Sequence, residues 1–427
     1  MSGGGRVSRI SRVSRVARPG GARVALLAAL VSPGASDARA TSAAGNDLAF
    51  SRADVAPARS ATPAPPVPFA GDGWRAAGND GIRGMTIGPI ENGYHPGLGY
   101  GSPAFDRTLA ECVRMGATWV AITPFGRVND LDGRGVDPTF EAPFAKNRDD
   151  VRRAIAMAHA RGLAVMLVPH LWVESGAWRA KIDPGSDEGW REWARSYGAF
   201  VRGWARVAEE THAEMLSAGV ELRSWVTTGR AASFAAVVHE LRGLYHGMLT
   251  YSANWDDVDQ TVILGELDVI GINAFYPLAD KDGAPESDML AGAARIRQRV
   301  HDLAETWGKP VLFTEVGYTT RADPAVRPWE WPDAMKGVRV DQAAQAVAYR
   351  SLLAPLLDEP DFAGFFAWRL YSDPDDVSQE AEWGFSPRGK LAELVVRDAF
   401  VARWAGDGGG TRRPGWAERA WIPGWLP

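Results

Sequence analysis

The chain has 427 residues, 46% hydrophobic and 23% charged, with a formal net charge of -5. This is the composition of an ordinary globular protein, and the acidic balance argues against a nucleic-acid partner, which would leave a basic face. The length would hold two average domains, but α/β barrels use more than about 200 residues as one unit, so a single large core is allowed.

Residues 1–40 carry seven arginines and no acid before Asp37, then the apolar run Val24 to Val31 and small residues ending Ala38-Arg39-Ala40. A basic stretch, a short apolar stretch and an A-x-A site make a signal peptide, too short for a permanent membrane span. Export to the periplasm or the medium is therefore expected, without stable membrane insertion. The competing reading is a disordered basic arm on a cytoplasmic protein, because Arg39 is awkward inside a cleavage site. Residues 41–73 are rich in Ala, Pro and Ser with no hydrophobic period and read as a linker. A folded domain is expected over 74–405, and 406–427 form a Gly- and Trp-rich tail with Trp416, Trp421 and Trp425.

Cys112 is the one cysteine, so no intrachain disulfide is possible. It shares a helical face with Phe105, Leu109 and Val113, which points to a packed, unreactive thiol. The 18 tryptophans exceed ordinary usage; flat indole faces suit sugar rings, although most are expected in the core.

Strand-like runs then alternate with helical ones. The strands are expected at Ile82–Gly88, Thr118–Thr123, Ala164–Pro169, Glu214–Val220, Met248–Ser252, Leu267–Asn273, Val311–Thr314 and Phe362–Trp368. Most are unbroken apolar runs, as in strands buried on both faces. Between them, Asn147 is placed to cap a helix whose face carries Val151, Ile155 and Ala158, and Gly162 ends it. Ile296, Val300 and Leu303 make a similar stripe, stopped by Lys309-Pro310. Eight strand–helix units without a break predict a (β/α)8 TIM barrel. A Rossmann sheet would need G-x-G-x-x-G after the first strand, and Gly88-Pro-Ile-Glu-Asn-Gly93 does not fit it.

In such a barrel the site lies at the carboxyl ends of the strands. That filter selects His170 and Trp172 after strand three, Glu221 after strand four, and Asn254 and Trp255 after strand five. It also selects Asn273 and Tyr276 after strand six, Glu315 after strand seven, and Trp368, Arg369 and Tyr371 after strand eight. Charged residues rarely end apolar runs unless paired or chemically useful. Two facing carboxylates among aromatic and amide groups are what glycoside hydrolysis needs, one as proton donor and one as nucleophile or base. About 5 Å between them gives retention of configuration, and more than about 6.5 Å gives inversion. The alternative for either glutamate is an ion pair with a residue such as Arg223 or Arg83. His95, in the loop Asn92 to Gly97, is a further but weaker candidate. Asp130 to Asp137 is oxygen-rich but lacks EF-hand spacing and reads as a polar turn. No metal-ligand pattern at the strand ends and no phosphate-cradling motif is evident, so no cofactor is expected.

Arg83-Gly-Met-Thr86, Gly219-Val-Glu-Leu222, Gly271-Ile-Asn-Ala-Phe-Tyr-Pro277 and Phe313-Thr-Glu-Val-Gly-Tyr318 together resemble glycoside hydrolase family 113, the β-mannanases of clan A, over roughly Gly81 to Ala402. The resemblance implies a retaining hydrolase of β-1,4-linked mannan or manno-oligosaccharides, with Glu315 as nucleophile and Glu221 as acid/base. It further implies that Tyr276 hydrogen-bonds Glu315 and that Trp368 forms a platform under the sugar ring. One departure is Val220, where much of the clan has an Asn that reads the sugar 2-hydroxyl; Asn254, Asn273 or His170 is left to do so. Other readings are a sugar-binding barrel that has lost catalysis, a clan A hydrolase acting on another β-glycan, and, remotely, a metal-dependent barrel hydrolase.

Overall fold

The computed structural model describes residues 81–88, 96–139, 142–330, 339–375, 382–402 and 404. The expected leader, linker and tail, and His95, lie outside them. Eight parallel strands close into a barrel: β1 (Ile82–Gly88), β2 (Trp119–Ile122), β4 (Ala164–Leu167), β6 (Met215–Val220), β7 (Met248–Asn254), β8 (Ile270–Asn273), β9 (Val311–Val316) and β10 (Phe362–Tyr371). The ring order is β1-β10-β9-β8-β7-β6-β4-β2. The eight strands expected from the sequence are all present, the first with the expected bounds and the others with shifted ends. Two short strands were not expected: β3 (Phe125–Val128) and β5 (His170–Val173) pair in parallel as a separate two-stranded sheet beyond β2 and β4. His170 therefore opens β5 rather than ending the third barrel strand.

The helices α1 (Pro103–Met115), α2 (Phe144–Ala160), α3 (Asp187–Thr211), α4 (Arg223–Val226), α5 (Ala231–Arg242), α6 (Glu286–Trp307), α7 (Gln342–Leu356) and α8 (Leu391–Val401) fill the intervals. Helix α1 starts where Ser102 accepts from the Phe105 amide and ends at left-handed Gly116, which satisfies otherwise unpaired end groups. Cys112 is buried on its inner face, and burial pushes the thiol up to about 12, too high for reactivity. Asn147 does not cap α2. The helix begins three residues earlier, and the Asn147 amide instead donates to the carbonyls of Ala142 (2.9 Å) and Pro138 (3.3 Å). The longest helix, α3, buries Trp190, Trp193, Tyr197, Phe200 and Trp204 on one face, each contributing roughly 1.5–3 kcal/mol. Much of the tryptophan excess is thus structural. Among the described residues no helix is long and apolar enough to cross a membrane.

Two apolar layers result. Ile82, Ala121, Met166, Met215, Val220, Leu312 and Phe366 fill the barrel interior, and a larger cluster fills the space between strands and helices. Gly84 is required by the first layer: a Cβ there would fall on the Phe366 ring, well inside van der Waals contact. Arg83 closes the barrel floor. Its guanidinium donates to the carbonyls of Phe400 (2.6 Å), Gly81 (2.9 Å) and Ala402 (3.1 Å) and lies 4.3 Å from the Trp404 ring centre, so its ion-pair reading with either glutamate does not hold.

Candidate active site

The two strand-end glutamates reach the same chamber by different backbone devices. Leu312 points into the barrel and Phe313 out, so strict alternation would turn Glu315 outward. The β9 register against β8 slips between Phe313 and Glu315, leaving Thr314 as an extra residue. The Thr314 hydroxyl donates to Asn273 Oδ1 (2.9 Å), and the bulge re-aims Glu315 to the inside. Glu221 follows β6 with φ 50°, a left-handed conformation uncommon for a non-glycine residue. The Glu221 amide still donates to Ser252 (2.9 Å), and the Leu222 amide to the Tyr251 hydroxyl (2.6 Å), which fixes the turn into α4.

Both carboxylates are buried and none is idle. Glu221 accepts from Asn273 Nδ2 (2.9 Å) and from the Trp178 indole (2.8 Å), and it forms an ion pair with Arg179, whose guanidinium lies at 3.0 Å. Glu315 Oε1 lies 3.2 Å from His170 Nε2. His170 stacks on Phe125 at 4.8 Å and faces Trp368 at 6.2 Å. Asn273 is fully buried and ties the two acids together: it holds Glu221 directly, and its amide also favours the charged form of Glu315.

Burial, reinforced by the negative charge of Glu221, pushes Glu315 up to about 8 against the opposing influence of Arg179, Arg369 and Asn273. At neutral pH Glu315 accordingly holds its proton. Burial, with Arg179 and Arg369 nearby, drives His170 well below its ordinary value, so it is neutral. The buried atoms Thr86 Oγ1, His170 Nδ1 and Arg179 Nε have no protein partner among the described residues, and a sugar hydroxyl or water would satisfy them.

Trp178 and Arg179 were missed in the sequence because they lie past β5 at a 3-10 turn (Arg179–Lys181) rather than at a strand end. The Arg223 guanidinium supports them from behind: it pairs with Asp256 and Asp257 (2.7 Å to the latter) and lies 4.9 Å from the Trp178 ring centre. Arg223 is therefore not paired with Glu221. Burial raises Asp257 to about 6 even with this partner.

A family model, Glycoside Hydrolase Family 113, matches residues 96–390. The chain belongs to glycoside hydrolase family 113. Among solved structures, a complex of a family 113 β-1,4-mannanase aligns with a TM-score of 0.65 at 23% identity, covering 76% of this chain and 100% of that one. The family 113 β-mannanase AaManA from Alicyclobacillus acidocaldarius, in complex with ManMIm, aligns at 0.63 and 26% identity, covering 75% and 97%. No curated protein sequence matches. The family match starts after β1, so Arg83 to Thr86 lie outside it.

In this family 113 chain, Glu221, Glu315, Asn273, His170 and Trp368 come together, and the Arg369 guanidinium covers the Trp368 and Tyr371 rings at 4.7 Å each. Trp172 is half-buried two residues along β5 from His170 and so on the same face. Asn254 spends its amide on Asp256 (2.7 Å) beside Trp255. Tyr276 is a correction. Its ring packs on Phe313 (6.0 Å) and Trp255 (5.6 Å) with Arg299 above it, outside the strand ring, and its hydroxyl has no hydrogen-bond partner among the described residues, so it does not hold Glu315. The reason is register: Phe313 faces the helices, and a side chain packed on it cannot also reach the inward-turned Glu315. His170 takes that place. Val220 packs in the barrel interior and Asn273 is used up between Glu221 and Thr314, which leaves Asn254 and His170 of the residues expected to meet the 2-hydroxyl. The oxygens of Asp130 and Asp137 are satisfied locally by Leu131, Ser175 and Thr139, as in a polar turn. Among the described residues, the side chains able to converge on a metal are His301, Glu359 and Asp361, on α6 and just before β10 rather than at the strand ends.

Proposed function

We propose that this glycoside hydrolase cleaves β-1,4-linked mannan or manno-oligosaccharides with retention of configuration, Glu315 attacking the anomeric carbon and Glu221 serving first as acid and then as base. The observation that carries the reading is the buried pair itself, two carboxylates from strands three places apart in the ring, joined through the Asn273 amide. Double displacement needs a singly protonated pair. The approach of a positive anomeric centre favours the charged form of Glu315, which gives up its proton to Glu221; Glu221 then hands that proton to the leaving oxygen as the Glu315 carboxylate attacks the anomeric carbon, and takes one back from the water that releases the sugar. His170 and Asn273 orient the nucleophile, Trp178 and Arg179 orient the acid/base, and Trp368 lies under the ring. Substrate contacts from Trp172, Asn254 and Trp255 belong to the same proposal.

The test is product analysis on mannan, β-glucan and xylan, with the first-formed anomer read by NMR. Retention on mannan and a loss of roughly 10⁴-fold or more in Glu315→Ala are expected. Full hydrolysis of all three glycans by Glu315→Ala would end the proposal, and an inverted product would end the double-displacement part of it.

A further inference from the structure

Among the described residues, the large hydrophobic side chains left exposed are aliphatic with one exception, Trp329, which is 47% exposed. It stands in the loop between β9 and α7, on the carboxyl-end face of the barrel. One face of the indole is stacked on Trp255 at 5.3 Å and 23°. Trp255, which follows β7, packs in turn against the group Phe275, Trp368 and Phe385, and Trp368 faces His170, the neighbour of Glu315. A continuous aromatic tract therefore runs from the catalytic pair across the rim to the surface, and Trp329 is its outer end.

The loop holds that indole in place. Glu330, its chain neighbour, is gripped by Arg321 (2.8 Å) and Arg327 (2.9 Å), and the Ala325 carbonyl accepts from the Leu278 amide (2.8 Å) in the segment after β8. A flat, fixed, half-exposed ring at the end of an aromatic tract suits the C–H face of a pyranose, which stacks without needing directional polar partners. We infer that Trp329 forms a remote sugar subsite, with Trp255 behind it, that grips a β-linked oligosaccharide several residues away from the bond being cut. The inference rests on the glycan-cleaving reading above and extends it to long chains.

The test compares wild type, Trp329→Ala and Trp329→Phe on a hexasaccharide and a trisaccharide of the mannan, β-glucan and xylan series. In whichever series the wild type cleaves, the hexasaccharide-to-trisaccharide ratio of kcat/KM falls roughly fivefold to tenfold in Trp329→Ala. The fall comes through KM, because a remote contact is made equally in ground and transition states, and Trp329→Phe restores most of it. An unchanged ratio, or an equal loss on both lengths, overturns the subsite while leaving glycan cleavage intact. Cleavage of glucan or xylan but not mannan, with the ratio falling, removes the mannan reading and keeps the subsite. A wild type that cleaves none of the series overturns both.

Discussion

The proton on Glu315 makes two residue-scale predictions. Retaining chemistry requires a proton for the leaving oxygen, and Glu315 loses its proton as pH rises through about 8. The kcat/KM profile of the wild type should therefore fall on its basic side near that pH. The groups facing Glu315 are Glu221, His170, Asn273, Arg179 and Arg369, and Arg179 holds its pKa down. Arg179→Gln should consequently move the basic limb to higher pH as well as lower the rate; a lower rate with an unmoved limb would reduce Arg179 to packing. The second prediction concerns stability. A carboxyl raised from 4.5 to about 8 binds its proton more tightly folded than unfolded, so stability falls as pH rises through that window. Glu315→Gln, which has no charge to bury, should be more stable than wild type at pH 8 by about 1 kcal/mol, measured by urea unfolding. The sequence disclosed the two acids because each ends an apolar run before a turn. It did not disclose Trp178 and Arg179, which lie past β5 rather than at a strand end, nor that Tyr276 packs on Phe313 outside the strand ring.

At the scale of elements, the chemistry depends on irregular backbone inside regular strands. The extra residue at Thr314 and the left-handed Glu221 are the two places where β9 and β6 depart from alternation, and both deliver a carboxylate to the candidate site. Apolar runs locate such strands but carry no phase, so the strands were legible and the inward turn of Glu315 was not. Thr314→Val keeps the shape and removes the hydroxyl that fixes Asn273. We expect kcat to fall roughly tenfold or more, with little change in melting temperature; wild-type kcat would show that the bulge alone positions the amide.

At the scale of the molecule, the ring is closed by β1 against β10, and Arg83 fastens the floor of that seam to the end of α8. Arg83→Met would leave three carbonyls, two of them buried, without this donor, at a cost of about 3 kcal/mol, read as an earlier urea midpoint. The site stands at the opposite end of the strands, so kcat/KM of the folded fraction should stay within about twofold. The barrel was legible in the sequence because eight unbroken apolar runs separated by helical stripes leave few other arrangements. The β3–β5 ribbon was not, since four-residue strands among polar loops give too short a pattern to separate from turn.

That ribbon bonds to itself as a sheet and stands apart from the ladder that closes the ring. It nevertheless carries His170 and Trp172 into the mouth. Exchanges at its outer positions leave the ladder of the ring unchanged. Libraries meant to alter what enters the mouth therefore belong at outer ribbon positions such as Trp172, with Phe125, His170, Trp178 and Arg179 kept because they touch or support the two carboxylates.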